Sequence, residues 1–402
     1  MTASLLRMNQ VDLRGKRVLI REDLNVPLAD GMVVNDSRIR AALPTIRAAL
    51  AANPARVMLL SHLGRPVEGV AIADQPGFSL APVAARLSAL LGFAVPLVAD
   101  YLDAAATLPE ARVCLLENVR VNQGEKAVDE SLARRYAALC DVFVMDAFGT
   151  AHRAQASTSG VAELAPSACA GPLLAGEIDA IGQAMREPRR PLLAIVGGAK
   201  VSGKLELLRN LSGLADHLLV GGGIANTFLL AAGHPVGRSL CETELIDTAR
   251  ELMARVDIPL PVDVRVAGAF SADARAEIKA VADVGGDDLI LDIGPETAAR
   301  NAELIARMGT IIWNGPMGVF EFPAFAAGTE SLARAIAESP AFSLAGGGET
   351  VSAIEQFGAA AGVSYISTGG GAFLEAVQGA PLPAIAALSG REQINTEPTD
   401  LR

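Results

Sequence analysis

The sequence predicts an α/β protein of two three-layer (αβα) domains with mostly parallel sheets, joined by a linker helix. Three observations carry this. The 402 residues exceed what one hydrophobic core ordinarily serves. Short apolar runs alternate with longer amphipathic stretches, the pattern of buried strands joined by covering helices. Several of the 39 glycines stand directly after the apolar runs, where a strand must turn tightly into a helix.

In the first half, strands are expected at 17–22, 56–61, 94–98, 113–117 and 142–146, each too short for a helix. Helices are expected at 37–53, with Asp36 or Ser37 as cap, at 79–91 and at 130–140. Parallel sheets bind ligands beyond the carboxyl ends of their strands, so the residues after each strand matter most. Asp23-Leu24-Asn25 follow the first strand, with Arg38 at the next helix start. His62-Leu63-Gly64-Arg65 follow the second, Asn118-Val119-Arg120 a third, and the run from Asp146 to Arg153 the last. One such arginine reads as a solvated charge. Four in the same placement read as a candidate anion site, because guanidinium forks grip phosphate and carboxylate. Asp23 and Asn25 read either as acceptors for a hydroxyl or as ordinary turn formers.

Residues 166–191 contain Pro166, Gly171, Pro172, Pro188 and Pro191 around a helical pattern at 173–185. They read as a linker between domains, or as one more surface helix of a single large domain. Strands are then expected at 192–196, 216–220, 260–267, 288–293, 310–313, 342–345 and 363–368. Three glycine triplets, at 221–223, 346–348 and 369–371, each follow a strand and precede a helical pattern. Backbone N–H groups at such helix starts receive anions. Lys200 and Lys204, two of only five lysines, follow the strand at 192–196. A compact ammonium suits a moving phosphoryl group. Gly198 to Lys204 spells G-x-x-x-x-G-K. A phosphate-binding P-loop needs Ser or Thr next, to hold magnesium, and Leu205 stands there instead. No Gly-x-Gly-x-x-Gly with a following acid stands out, which disfavours a dinucleotide site.

Charge and composition exclude other classes. The net charge of −11 falls entirely on residues 171–402, the first 170 being balanced, so neither half offers a basic nucleic-acid surface. The most apolar stretch, 218–233, is interrupted by Gly221-Gly222-Gly223, Asn226 and Thr227 and falls short of a membrane span. The first residues lack a signal-peptide pattern. Cys114, Cys140, Cys169 and Cys241 are scattered with no C-x-x-C and read as core thiols of a reducing cytoplasm. The four histidines show no metal spacing.

In order along the chain come DLNVP, SHLGRP, LLENVR, DAFGTAHR, GGAKV with Lys204, GGG before Thr227-Phe228, DIGP, WNGPMGVFE, GGGET and STGGGA. Together they resemble the phosphoglycerate kinase family over nearly the whole chain. The resemblance implies two Rossmann-like domains joined by a hinge helix, usually in a monomeric, cytoplasmic, glycolytic enzyme. It implies reversible, in-line transfer of the acyl phosphate of 1,3-bisphosphoglycerate to Mg-ADP after hinge closure, giving 3-phosphoglycerate and Mg-ATP. The implied domains are 1–171 for the sugar acid, 172–188 as linker helix and 189–388 for the nucleotide, with the tail 389–402 packing back or disordered. Asp23, Asn25, Arg38, His62, Arg65, Arg120 and Arg153 would hold phosphoglycerate, and Arg38 and Lys200 would be catalytic. Lys200, Lys204, Gly221, Gly222, Gly223, Glu321, Gly347, Gly348, Glu349 and Thr350 would hold the nucleotide. Glu349 would meet its Mg2+, and the amides of Gly369, Gly370 and Gly371 would face the transition state.

Three positions depart from the family pattern: Glu349 where Asp is normal, Phe373 where a small residue follows the last triplet, and Glu22 where an apolar residue precedes Asp23. Two other readings are a P-loop NTPase, against which Leu205 stands, and a non-catalytic anion-binding scaffold, against which Arg38 and Lys200 stand.

Overall fold

A computed structural model describes residues 5–102 and 109–390. The chain divides into two units, one running to Glu177 and resuming at Pro381, the other spanning Ile178–Ala380.

The first unit opens with β1 (Arg17–Arg21), a small hairpin of β2 (Leu28–Ala29) and β3 (Met32–Val33), and α1 (Ser37–Ala51). There follow β4 (Arg56–Leu60), α2 (Ala81–Leu91), β5 (Leu97–Val98), β6 (Val113–Leu116), α3 (Glu130–Ala138) and β7 (Val142–Met145). It closes with α4 (Val161–Leu164), β8 (Ser167–Ala170) and the start of α5 (Pro172–Met185). Six parallel strands line up as β5-β6-β4-β1-β7-β8. Val18 to Ile20, Val57 to Leu60, Val113 to Leu116 and Val142 to Met145 are all buried. Strands covered on both faces read as unbroken apolar runs rather than alternating ones, which is why the sequence marks them.

Local signals fix the helix ends. Asp129 accepts the Leu132 N–H at 2.8 Å and caps α3. Gly92 ends α2 in the left-handed region at φ 78°. Asp36 occupies the cap position of α1 but spends its carboxylate on Arg40 and Arg86 instead.

In the second unit β9 (Leu192–Gly197), α6 (Leu205–Ser212), β10 (His217–Gly221), α7 (Gly222–Ala231) and α8 (Ile246–Met253) lead to β11 (Asp263–Ala267), β12 (Glu277–Ala280) and β13 (Leu289–Ile293). Then come α9 (Pro295–Ile305), β14 (Thr310–Asn314), α10 (Ala327–Glu338), β15 (Phe342–Gly346), α11 (Gly348–Gln356), β16 (Tyr365–Ser367) and α12 (Gly371–Val377). Five strands form a parallel sheet, β10-β9-β14-β15-β16, and three form a separate antiparallel sheet, β12-β11-β13.

Four features depart from the sequence reading. Residues 167–170, expected in the linker, form β8 at the edge of the first sheet beside β7. Their Ser-Ala-Cys-Ala side chains carry no β-branched or aromatic signal. Strand β12, Glu-Ile-Lys-Ala, is too polar and short to stand out. The boundary between units falls inside α5, after Glu177. The last helix, α13 (Pro383–Ser389), lies in the stretch expected to belong to the nucleotide domain, yet it packs on α4 and β8, and its Ala384 N–H donates to Ala151 O at 3.1 Å. The expected tail beyond Gly390 lies outside the described residues. Among the described residues no helix is long and apolar enough to cross a membrane.

Candidate active site

In the first unit the expected residues gather at the carboxyl ends of β1, β4, β6 and β7. The loop after β1 turns on itself, with Asp23 Oδ1 accepting the Asn25 N–H at 3.2 Å. Asn25 Oδ1 in turn accepts the Gly64 N–H at 2.9 Å, tying this loop to the one after β4. Arg38, in the first turn of α1, donates Nη1–H to Asp23 Oδ2 at 2.7 Å. Arg120 donates to Gly64 O at 2.6 Å, while its buried Nε has no partner among the described residues. Asn118 holds this arrangement by donating Nδ2–H to Leu63 O and Phe78 O.

His62 is buried, and Arg21 stands 3.4 Å from its Nδ1. Burial pushes the imidazole well below its ordinary pKa, and the charges of Arg21, Arg120, Arg153 and Arg38 push it the same way. His62 is therefore neutral at physiological pH, with one guanidinium beside it and the charges of three more acting on it. Burial and then Arg153 and Arg21 bring Arg120 down to about 10, which leaves it charged. The structure thus brings together Asp23, Asn25, Arg38, His62, Arg120 and Arg153. Arg65 stays exposed in the loop after β4, with no hydrogen bond among the described residues.

Sequence reasoning missed Arg21. It sits inside the apolar run of β1, is fully buried, and donates to Glu22 O at 2.6 Å and Ser157 Oγ at 3.1 Å. Its only signal is a charge at the carboxyl end of a strand otherwise buried on both faces.

Glu22, flagged as unusual, is also fully buried, and neither carboxylate oxygen has a partner among the described residues. Burial first, then Asp146 and Asp23, push its pKa well above 4.5. The folded state therefore holds a proton that the unfolded chain releases above its ordinary value. Stability from this group is complete below about 4.5 and is lost as pH rises toward the folded value. Glu22→Leu is expected to stabilise the protein by about 1–3 kcal/mol near neutral pH, the scale of an unpaired buried polar group. The gain should shrink at pH 4.5. Urea midpoints that shift equally at both pH values would reject the explanation.

In the second unit the site forms at the ends of β9, β14 and β15. Lys204 is partly buried and donates Nζ–H to Gly197 O and to Asn314 Oδ1, each at 2.6 Å. Asn314 Nδ2–H donates to Gly346 O at 2.7 Å, so one asparagine joins the three strand ends. Burial lowers Lys204 to about 8, partly offset by the charge of Glu349. Lys200, four residues earlier, is exposed and takes part in no hydrogen bond or ion pair among the described residues.

The P-loop-like run is not arranged as a loop around an anion. Val201 within it is buried, and Ser202 donates Oγ–H to Glu242 at 2.5 Å. Thr350 Oγ1 accepts the Gly315 N–H at 2.8 Å, while Gly348 and Glu349 are exposed in the first turn of α11. Gly347 has φ 98°, and a side chain there would press on Asn314 Nδ2 at 2.5 Å, so only glycine fits. Glu321 is exposed in the loop after β14.

The triplet amides are not all available. Gly222 donates to Met317 O and Gly369 to Ser367 Oγ. Phe373 has its ring buried, in the space that Gly346 leaves by having no side chain.

Among the described residues no three His, Cys, Asp or Glu side chains cluster as metal ligands. Mg2+ bound with a nucleotide ordinarily takes one or two carboxylates plus phosphate oxygens, and the exposed Glu349 carboxylate fits that donor set.

The phosphoglycerate kinase family matches residues 8–380. The structure is similar to that of phosphoglycerate kinase from Coxiella burnetii, at 51% identity and a TM-score of 0.91, over 96% of this chain and 99% of that one. It is also similar to phosphoglycerate kinase from Pyrococcus horikoshii OT3, at 32% identity and a TM-score of 0.78, over 96% and 98%.

Proposed function

The chain belongs to the phosphoglycerate kinase family, and on that premise we propose how its residues carry the reaction. The enzyme is a glycolytic phosphotransferase that moves the acyl phosphate of 1,3-bisphosphoglycerate to ADP, reversibly, giving 3-phosphoglycerate and ATP. Neither a P-loop hydrolase nor a non-catalytic scaffold accounts for that membership.

The first unit holds the sugar acid. Arg38, Arg120, Arg153 and the exposed Arg65 neutralise its phosphate and carboxylate, neutral His62 donates a hydrogen bond, and Asp23 and Asn25 receive its hydroxyl. The second unit holds the nucleotide through Lys204, Gly221, Gly223, Glu321, Gly347, Gly348, Glu349 and Thr350; Lys200 meets it only as charge develops on the transferring group, and Gly222, whose N–H goes to Met317 O, serves the turn. Glu349 would hold the Mg2+ that accompanies the nucleotide, and that ion would supply charge neutralisation at the phosphates. Phosphoryl transfer asks a protein for alignment and charge stabilisation rather than covalent chemistry. The leaving group is a carboxylate, so no general acid is assigned. Arg38 and Lys200 stabilise charge on the transferring group, aided by the amides of Gly370 and Gly371. Gly369 spends its own N–H on Ser367 and serves the turn. The substrates are soluble metabolites, which suits a cytoplasmic monomer with no nucleic-acid or membrane partner.

The observation that carries the residue assignment is the geometry of the loops after β1 and β4, where Arg38 is held by Asp23, Asn25 ties the two loops together at Gly64, and Arg120 reaches the same Gly64. A coupled assay with 3-phosphoglycerate and Mg-ATP tests the reaction. Phosphoglycerate-dependent turnover is expected, and phosphate release without phosphoglycerate would indicate hydrolysis instead.

Two further results are expected. Lys204 is an ammonium below about 8 in the ligand-free protein. Its depressed value means the charge that attracts phosphate disappears as pH rises through that point. ADP affinity should fall by up to roughly ten-fold per pH unit above 8, the limit for one linked proton. Calorimetric titration from pH 7 to 9.5 checks this, and Lys204→Met should flatten the profile. Separately, Glu349→Asp withdraws the carboxylate by one methylene and should lower the Mg2+ concentration giving half-maximal rate. Superimposable magnesium curves would contradict it.

A further inference from the structure

The first unit contains a buried hydrogen-bond chain that the reaction scheme above leaves unused. Glu125 is fully buried, nine residues past the end of β6. Its Oε1 accepts Ser157 Oγ–H at 2.5 Å and its Oε2 accepts the Ser157 N–H at 3.1 Å. The Tyr136 hydroxyl lies 3.4 Å from Oε2. Ser157 has one hydroxyl proton, given to Glu125, so its oxygen is open to a donor, and Arg21 Nε–H fills that role at 3.1 Å. The same guanidinium reaches His62 Nδ1 at 3.4 Å.

Direction along this chain follows from the donor inventory. A guanidinium only donates, so Nδ1 of His62 must accept. The ring proton then sits on Nε2, and the imidazole has one donor left. A buried arginine is expensive unless its charge is met by an opposite one. Burial raises Glu125 to about 7, so it is fully the accepting carboxylate only above that pH, and among the neighbouring groups that keep Arg21 charged against burial it is the largest, ahead of Asp23. Without Glu125, the Arg21 fork would have a weaker reason to hold Ser157 and His62 at once.

We propose that Glu125 is a positioning residue of the sugar-acid site: through Ser157 and Arg21 it holds His62 in the neutral Nε2–H tautomer that donates to phosphoglycerate. The role rests on the assignment of His62 to that substrate. It gives a reason for a carboxylate, a serine and an arginine from three distant stretches of sequence to meet in the dark interior behind one histidine. Tyr136 and Asn122, which donates to the Tyr136 hydroxyl at 2.9 Å, fix the far end of the chain.

Two-bond 1H–15N correlation of the His62 ring in the substrate-free protein tests the relay directly, with steady-state kinetics alongside. Wild type should show a single form, protonated at Nε2 only. Glu125→Gln and Ser157→Ala should each show averaged tautomers and a KM for 3-phosphoglycerate raised about five- to ten-fold, the scale of one mispositioned hydrogen bond. The KM for Mg-ATP should not move. Ser157→Thr keeps a hydroxyl and should restore both signals. If Glu125→Gln fails to fold, Ser157→Ala breaks the same chain one link on and decides the matter. A wild-type ring protonated at Nδ1, or an unaltered single tautomer and unaltered KM in the variants, overturns the proposal. His62→Gln separates the two claims: if it leaves the KM for phosphoglycerate unchanged, the substrate assignment of His62 fails, whatever the ring spectra say of the relay.

Discussion

Lys200→Ala is expected to lower kcat by about 10²–10³, the loss that follows removal of one preorganised charge stabiliser, while KM for either substrate changes little. The structural reason lies in the contrast with Lys204. Lys204 is tied to Gly197 O and Asn314 Oδ1, so removing it would disturb the strand ends as well as the nucleotide. Lys200 is exposed and bound to nothing among the described residues, so its ammonium is free to follow charge that develops only in the transition state. An interaction absent from the ground state lowers kcat and kcat/KM together when it is lost. The thermal midpoint of the variant should stay near that of wild type, because no folded-state contact is removed. Steady-state kinetics in both directions decide the question: an unchanged kcat, or a loss confined to KM, would remove Lys200 from the chemistry.

Arg38→Ala should cause a loss of similar size, about 10²–10³ in kcat, for a different reason. In the ligand-free protein the guanidinium is already held by Asp23 at 2.7 Å, so the fork is aimed before any substrate arrives. That ion pair is half-exposed on the arginine side and contributes at most about 1 kcal/mol to stability, so the fold should survive its removal. Arg38→Lys supplies a charge without the planar fork and should recover only part of the rate. Full recovery by lysine would mean that charge alone matters, and a wild-type kcat in the alanine variant would exclude Arg38 from the transferring group. Unlike Lys200→Ala, the variant should also bind phosphoglycerate more weakly, since Arg38 is proposed to neutralise the anionic groups of that substrate beside Asp23.

Much of both units was legible because their strands are buried on both faces. The runs at β1, β4, β6, β7, β9 and β14 are nearly continuous apolar stretches, and each was read to within a residue or two of its observed bounds. The loops after them were legible because turn formers and charges interrupt the apolar pattern abruptly. What escaped had a weak local signature. Strand β8 is built from small residues that suit an edge position but carry no strand preference. Helix α13 looks like any short apolar helix, and nothing in its own residues says that it packs on α4 and β8.

The site divides in the same way. Asp23, Asn25, His62, Arg120 and Arg153 were visible because they lie in the loops that follow strands. Arg21, Ser157 and Glu125 were not, because each looks ordinary where it stands. Strand register and the turn at 156–160 bring them to one buried point.

From the sequence alone came the α/β architecture, the family, the strand-end loops and the residue types available for phosphoryl transfer. These depend on local periodicity and on short motifs, which a chain displays before it folds. Tertiary structure alone decided which charges are buried, which are paired and which are left free. It separated Lys200 from Lys204, made His62 neutral and left Glu22 without a partner among the described residues. A side chain's desolvation and its electrostatic neighbours come from residues far away in the chain, so no stretch read by itself contains them.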